Sequence, residues 1–243
     1  MKLNSLIETS KALCKIKTKN NSGTGFFVKI IILRKEPKYM LVTTKEIIPL
    51  SLIDEKETIE ITTEKEKIKQ NIKLDFVNRL IMTFFDYNVV AIEILPEDKL
   101  KDKVKFLVFQ HKYRMKMNND YINKNIIIMH YPNGQDVECN NGKIISDETS
   151  EFCHNLDTNK NSEGSPILII DDSFKNPVII GMQTSKIKDN KYNIGVYIDK
   201  LILEVDGGMF YWFNMETIPF DAIPNEAIRV VNLKILNEEY KEE

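Results

Sequence analysis

The chain has 243 residues, 42% of them hydrophobic, enough for one two-part domain or two small ones around a buried core. Its 34 Lys and Arg against 36 Asp and Glu leave a net charge of −2, a balance that gives no overall electrostatic footprint for nucleic acid or an anionic membrane. Neither is expected as a partner. The opening MKLNSLIETSKALCK has no apolar run of signal-peptide length, and no stretch reaches the roughly 18 apolar residues of a membrane span. The three cysteines, Cys14, Cys139 and Cys153, match no metal-ligand spacing. So sparse and odd a set points to a reduced compartment, cytoplasmic or otherwise intracellular.

Strand signals dominate from the N-terminus onward. Residues 12–19 alternate, and Asn20-Asn21-Ser22-Gly23 turns the chain into the β-rich run GFFVKIIIL at 25–33. Further strands are predicted over 39–44, 58–63, 72–76 and 89–95, the last reading VVAIEIL. Residues 96–105 are charged, lack an apolar stripe and read as a connection between two halves. The second half repeats the pattern over 126–130, 142–146, 167–170, 178–183 and 193–198. Helical spacing is confined to a turn within 45–52 and a short helix over 198–205. Many short strands separated by turn residues predict an all-β barrel or sandwich. Beyond Gly207-Gly208 comes MFYWF at 209–213, with the only Trp. A stretch at 227–236 follows that fits strand or helix, and then the charged tail NEEYKEE.

Three stretches stand in a telling order. Ser22-Gly23-Thr24-Gly25-Phe26-Phe27 leads to Leu41-Val42-Thr43-Thr44-Lys45-Glu46-Ile47-Ile48. Phe85-Asp86-Tyr87-Asn88-Val89-Val90-Ala91-Ile92 enters a strand. Asp157-Thr158-Asn159-Lys160-Asn161-Ser162-Glu163-Gly164-Ser165-Pro166 precedes Ile179-Ile180-Gly181-Met182. Together they resemble the trypsin-like serine proteases, in the disulfide-poor form of intracellular and microbial members. The resemblance covers roughly residues 10–205 and rests on the order and spacing of all three.

The resemblance implies two antiparallel six-stranded Greek-key β-barrels packed side by side, with a cleft between them. The barrels are expected over 8–98 and 106–205, with an extension over 206–243. It also implies site positions, and these depart from the family. The general-base histidine falls on Glu46 and the nucleophilic serine on Glu163. The orienting aspartate is kept as Asp86. The oxyanion-hole positions are Asn161, where the family has glycine, and Glu163.

The triad works because an imidazole takes the proton of a hydroxyl near neutral pH. A carboxylate rests at a much lower pKa and is a poor base there. A carboxylate nucleophile would form an anhydride with a peptide. Ser162 and Ser165 flank Glu163, but in such a turn the central residue faces the cleft. The histidines His111, His130 and His154 all lie in the second half, whereas the missing base belongs to the first.

If Glu46, Asp86 and Glu163 converge, two like charges about 4 Å apart repel by roughly 4 kcal/mol at an effective dielectric of 20. Splaying into solvent, sharing a proton or binding a hard divalent cation would each relieve this. The leading expectation is a pseudoprotease without cofactor that binds a protein or peptide segment in the inter-barrel cleft. The alternatives are a hydrolase built on the Glu46, Asp86 and Glu163 carboxylates, with or without a divalent cation, and an atypical peptidase using Ser162 or Ser165.

Overall fold

The computed structural model describes residues 3–30, 36–63, 67–84, 87–108, 121–132, 135–148, 150–158, 162–169, 177–186, 192–198 and 229–230. Asp86, Asn161, His111, the MFYWF stretch and all but the first residue of the helix expected over 198–205 lie outside them.

The chain opens with helix α1 (Leu3–Ser10), which the sequence reading did not anticipate. Its last turn is closed by side chains, as Thr9 Oγ1 donates to Ser5 O at 2.8 Å and Ser10 Oγ to Ile7 O at 2.8 Å. Such back-bonding competes with helix continuation. Strands β1 (Leu13–Lys17), β2 (Ser22–Ile30) and β3 (Lys38–Thr44) follow, then the short helix α2 (Leu50–Asp54). Next come β4 (Thr58–Thr63), β5 (Ile68–Lys73), β6 (Ile81–Phe84), β7 (Val89–Glu93) and the two-residue β8 (Leu107–Val108). The second half holds β9 (Asn125–His130), β10 (Glu138–Asp147), β11 (Glu151–His154), β12 (Pro166–Ile169), β13 (Val178–Lys186) and β14 (Asn193–Tyr197). A last strand, β15 (Arg229–Val230), comes from the C-terminal extension.

Strands β9 to β14 form a closed barrel in the order β10-β11-β14-β13-β12-β9. The first half forms a curved sheet in the order β15-β6-β7-β3-β2-β1-β4-β5, with β8 added to β2. Its strands β5 and β6 are not paired to each other, so it is a half-barrel and not the closed ring expected. Residues 74–80 intervene. There Asp75 Oδ1 accepts from Val77 N at 3.2 Å in an Asx turn, which ends the ladder at Lys73. The strand expected at 72–76 is therefore displaced toward the N-terminus.

Alternation explains why so many strands read as unbroken apolar runs. Phe26, Val42, Met82, Val89 and Ala91 face one cluster, which they share with Ile127, Met129, Leu168, Ile179, Met182 and Val196 of the second barrel. Their neighbours Phe27, Leu41, Ile81, Val90 and Ile92 face a core private to the first half. In the second barrel Ile126, Ile128, Phe152, Ile167 and Ile180 point inward. A strand with both faces covered needs apolar residues at every position. Each such side chain contributes roughly 1.5–3 kcal/mol by burial.

The segment after β7 does carry apolar anchors, although 96–105 reads as charged and without an apolar stripe. Leu100 (0% exposed) and Val104 (9%), four residues apart, are buried in the first-half core. Its start is fastened by Arg79, whose guanidinium donates to both oxygens of Asp98 at 2.6 and 2.7 Å. Asp98 Oδ2 also accepts from Leu95 N at 2.7 Å. Among the described residues no helix is long and apolar enough to cross a membrane. All three cysteines are free thiols.

Candidate functional site

The turn that follows β3 carries Glu46. It is a tight one, with Ile47 N and Ile48 N both donating to Thr44 O, at 3.2 and 3.1 Å. Glu46 is exposed. Its carbonyl accepts from Asn21 Nδ2 at 2.7 Å and its carboxylate from Asn88 Nδ2 at 3.3 Å. Asn88 has a left-handed backbone, with φ of 55°, which asparagine tolerates. Its amide also donates to Thr184 O of β13 at 3.1 Å, so one side chain ties the Glu46 turn to the second barrel. Asp86 lies outside the described residues, two positions before Asn88.

The second turn is Ser162-Glu163-Gly164-Ser165, closed by Ser165 N donating to Ser162 O at 3.2 Å. Gly164, in the third position, has φ of 82°, the conformation that a type II turn gives to glycine. Its backbone continues the β12–β13 ladder, with Gly164 N to Gln183 O at 2.9 Å and Gln183 N to Ser165 O at 2.9 Å. The turn is pressed against the first half. A Cβ at Gly164 would stand 2.2 Å from Thr24 O and 2.6 Å from Thr43 Oγ1. Both turns border Gly23, where a Cβ would lie 2.3 Å from Ile47 Cδ1 and 3.7 Å from Glu163 O. Glu46 and Glu163 thus belong to neighbouring turns on opposite sides of the junction between the halves.

Within the second turn the side chains separate by burial. Glu163 is half-buried, while Ser162 is 1% and Ser165 0% exposed. Ser165 Oγ meets no hydrogen-bond partner among the described residues. Ser162 Oγ lies 2.6 Å from His130 Nδ1, and His130 itself is 0% exposed. Behind the ring, Asn140 Nδ2 stands 3.3 Å from His130 Nε2 and donates to Asp157 O at 2.9 Å. Burial pushes the His130 imidazole below its ordinary pKa, against the opposing pull of Glu138 and Asp157.

The sequence reading missed the His130–Ser162 contact. Half of it was legible, since Ile126, Ile128 and His130 share one face of β9 by strict alternation. The partner, 32 residues away, was not. His154 is also buried, with Nδ1 accepting from Leu156 N at 3.3 Å, and burial lowers its pKa to about 4. Among the described residues no group of three or more His, Cys, Asp and Glu side chains is placed to hold a metal ion. Asp86, of the expected carboxylate trio, lies outside the described residues.

No protein-family model matches the chain. No curated protein matches it by sequence either. Solved structures do resemble it. The serine endoprotease from Yersinia pestis superposes with a TM-score of 0.61 at 10% identity, over 85% of this chain and 66% of that one. Deg5 gives 0.57 at 15% identity, over 83% and 90%. The inactive form of Rv3671c from M. tuberculosis gives 0.56 at 11% identity, over 88% and 92%. At such identities the likeness establishes the fold alone. That fold is the double β-barrel of trypsin-like serine proteases, with one barrel closed and one half-closed in this chain.

Proposed function

We propose that this protein is a trypsin-like protease homologue that does not cleave, and that it holds an extended protein or peptide segment in the cleft between its two halves. The observation that carries the reading is the 162–165 turn. Its outward corner holds a carboxylate, and both of its hydroxyls are buried. A buried Ser162 or Ser165 offers no attacking oxygen to a peptide in the cleft. Glu46 stands exposed, its carboxylate accepting from Asn88 Nδ2 and its carbonyl from Asn21 Nδ2.

A strand edge favours holding a peptide. β12 runs in register with β13 only from Pro166↔Met182 inward. Thr184, Ser185 and Lys186 extend beyond Gln183 past the end of that ladder, and there Thr184 O accepts from Asn88 Nδ2 and Ser185 O from Gln183 Nε2, side-chain bonds that an added segment would displace. An extended segment binds such an edge by main-chain hydrogen bonds and needs no catalytic residue. With Glu46 and Glu163 flanking it, the segment preferred is a basic one.

The test pairs two assays on the purified full chain. A displayed peptide library is expected to yield extended, Lys- or Arg-containing binders whose capture falls in Glu163→Lys. A hydroxyl-reactive phosphonate is expected to leave Ser162 and Ser165 unlabelled. Labelling of either serine, lost on its mutation to Ala, would overturn the reading in favour of an atypical peptidase.

A further inference from the structure

The contact between His130 and Ser162 has the length of a catalytic serine–histidine bond, yet its polarity is the reverse. Asn140 Nδ2 donates to the carbonyl of Asp157 at 2.9 Å, which identifies that end of the amide as the NH2 group. The same nitrogen faces His130 Nε2 at 3.3 Å, so Nε2 is the accepting, unprotonated nitrogen. A neutral imidazole then carries its hydrogen on Nδ1 and donates it to Ser162 Oγ at 2.6 Å. His130 cannot take a proton from Ser162, because the nitrogen that faces it is already protonated. The bond holds the turn instead. It joins β9 to the first residue of 162–165, and it is the titratable one among the ties described for that turn.

We propose that the chain Asp157 O–Asn140–His130–Ser162 is a proton-sensitive latch that holds the Glu163 turn in place while His130 is neutral. This rests on reading the turn as one wall of a ligand-holding cleft. When solvent adds a proton to Nε2, that nitrogen becomes a donor facing the NH2 of Asn140; the ring turns away from Asn140, and Ser162, still bonded to Nδ1–H in the cation, moves with it. Asn140 cannot satisfy that donor by rotating its amide without losing its bond to Asp157 O. The charged groups bearing on the ring are Glu138, opposite His130 in the β9–β10 register, and Asp157. Both stabilise the cation and so give the latch a protonated state to go to. Burial opposes them and prevails, so the folded pKa lies below 6.5. The latch is therefore fully closed above pH 6.5 and opens as pH falls through the lowered value. Its role toward the cleft is positioning, since His130 acts through Ser162 and touches no ligand.

The experiment is a pH titration of the 15N-labelled full chain by NMR, following the His130 ring nitrogens and the backbone amides of residues 162–165. The expected result at pH 7.5 is a proton on Nδ1 and a bare Nε2, the less common tautomer. On acidification the turn amides should shift with the His130 midpoint. In Ser162→Ala the ring should still titrate and the turn should cease to follow it. Asn140→Ala, at a half-buried position, should raise the His130 midpoint by removing the donor that disfavours the cation. A proton on Nε2 at pH 7.5, turn amides indifferent to His130, or an unchanged response in Ser162→Ala would each overturn the latch. An oligo-lysine peptide titrated at pH 7.5 and 5 separates this from the functional reading. Absence of binding with the turn still following His130 removes peptide holding and keeps the latch. Binding that weakens in acid equally in wild type and Ser162→Ala removes the latch and keeps the holding.

Discussion

The turns carrying Glu46 and Glu163 face each other across one junction and are built by different means. In the Glu46 turn the glutamate alone is exposed, beside buried Ile47 and Ile48, and it is held by two asparagine amides, from Asn21 and Asn88. The Glu163 turn is seated by both halves of the molecule. Gly164 lies against Thr24 and Thr43, Gln183 holds its backbone, and His130 holds Ser162 from within the barrel. Among the contacts described, the geometry of the 162–165 turn does not depend on the Glu163 side chain. It is set by a glycine and by buried polar contacts of its neighbours.

The largest expected effect tests that seating. Gly164→Val places carbon within van der Waals overlap of Thr24 O and asks a β-branched residue to adopt φ of 82°. It should destabilise the protein by about 3 kcal/mol or more. Urea denaturation measures this, and a loss under 1 kcal/mol would mean the turn is not clamped. Arg79→Ala, remote from both turns, should cost about 3 kcal/mol in the same assay. It leaves Asp98 as a buried carboxylate without its bidentate partner. Its effect should add to that of a turn variant, whereas two variants within the turn should not add.

Acid should act on the second barrel before the first half. His154 and His130 are both lowered by burial, His154 to about 4. A histidine with a lowered folded pKa leaves stability intact above the unfolded value near 6.5 and removes it as pH falls. For His154 alone the loss between pH 6.5 and 4 is on the order of 3 kcal/mol. His154→Gln should flatten that slope, and hydrogen exchange should show β11 and β14 opening before β2 and β3. The smallest expected effect is at the looser turn. Asn88→Ala removes bonds to Glu46 and Thr184 O and should cost about 1 kcal/mol, with the Glu163 turn unchanged by NMR.

Much of the fold was legible because two-sided burial writes itself plainly. Val89-Val90-Ala91-Ile92 alternates between two cores and reads as an unbroken apolar run. β5 was displaced in the reading because IKQNIK at an open edge is mostly polar, while apolar Leu74 and Phe76 fall beyond the ladder. β6, four residues long, carries too little periodicity to stand out. Leu100 and Val104 were hidden among alternate lysines. The half-open first sheet was beyond reach, since strand alternation fixes faces and not whether a ring closes. The motif order singled out Glu46 and Glu163, and their turns both border Gly23 at the junction. The contacts that hold them came from Asn21, Asn88, Asn140 and His130, polar residues whose partners lie far along the chain.

The decisive assay is cleavage of a diverse peptide library by the purified protein, with and without divalent metal, beside Glu163→Ala. A protease homologue that holds and does not cut should release no product in either condition. Product that appears in the wild type and vanishes in Glu163→Ala would contradict this and identify Glu163 as part of a working catalytic site, with the metal dependence showing whether carboxylates act alone or through a bound cation.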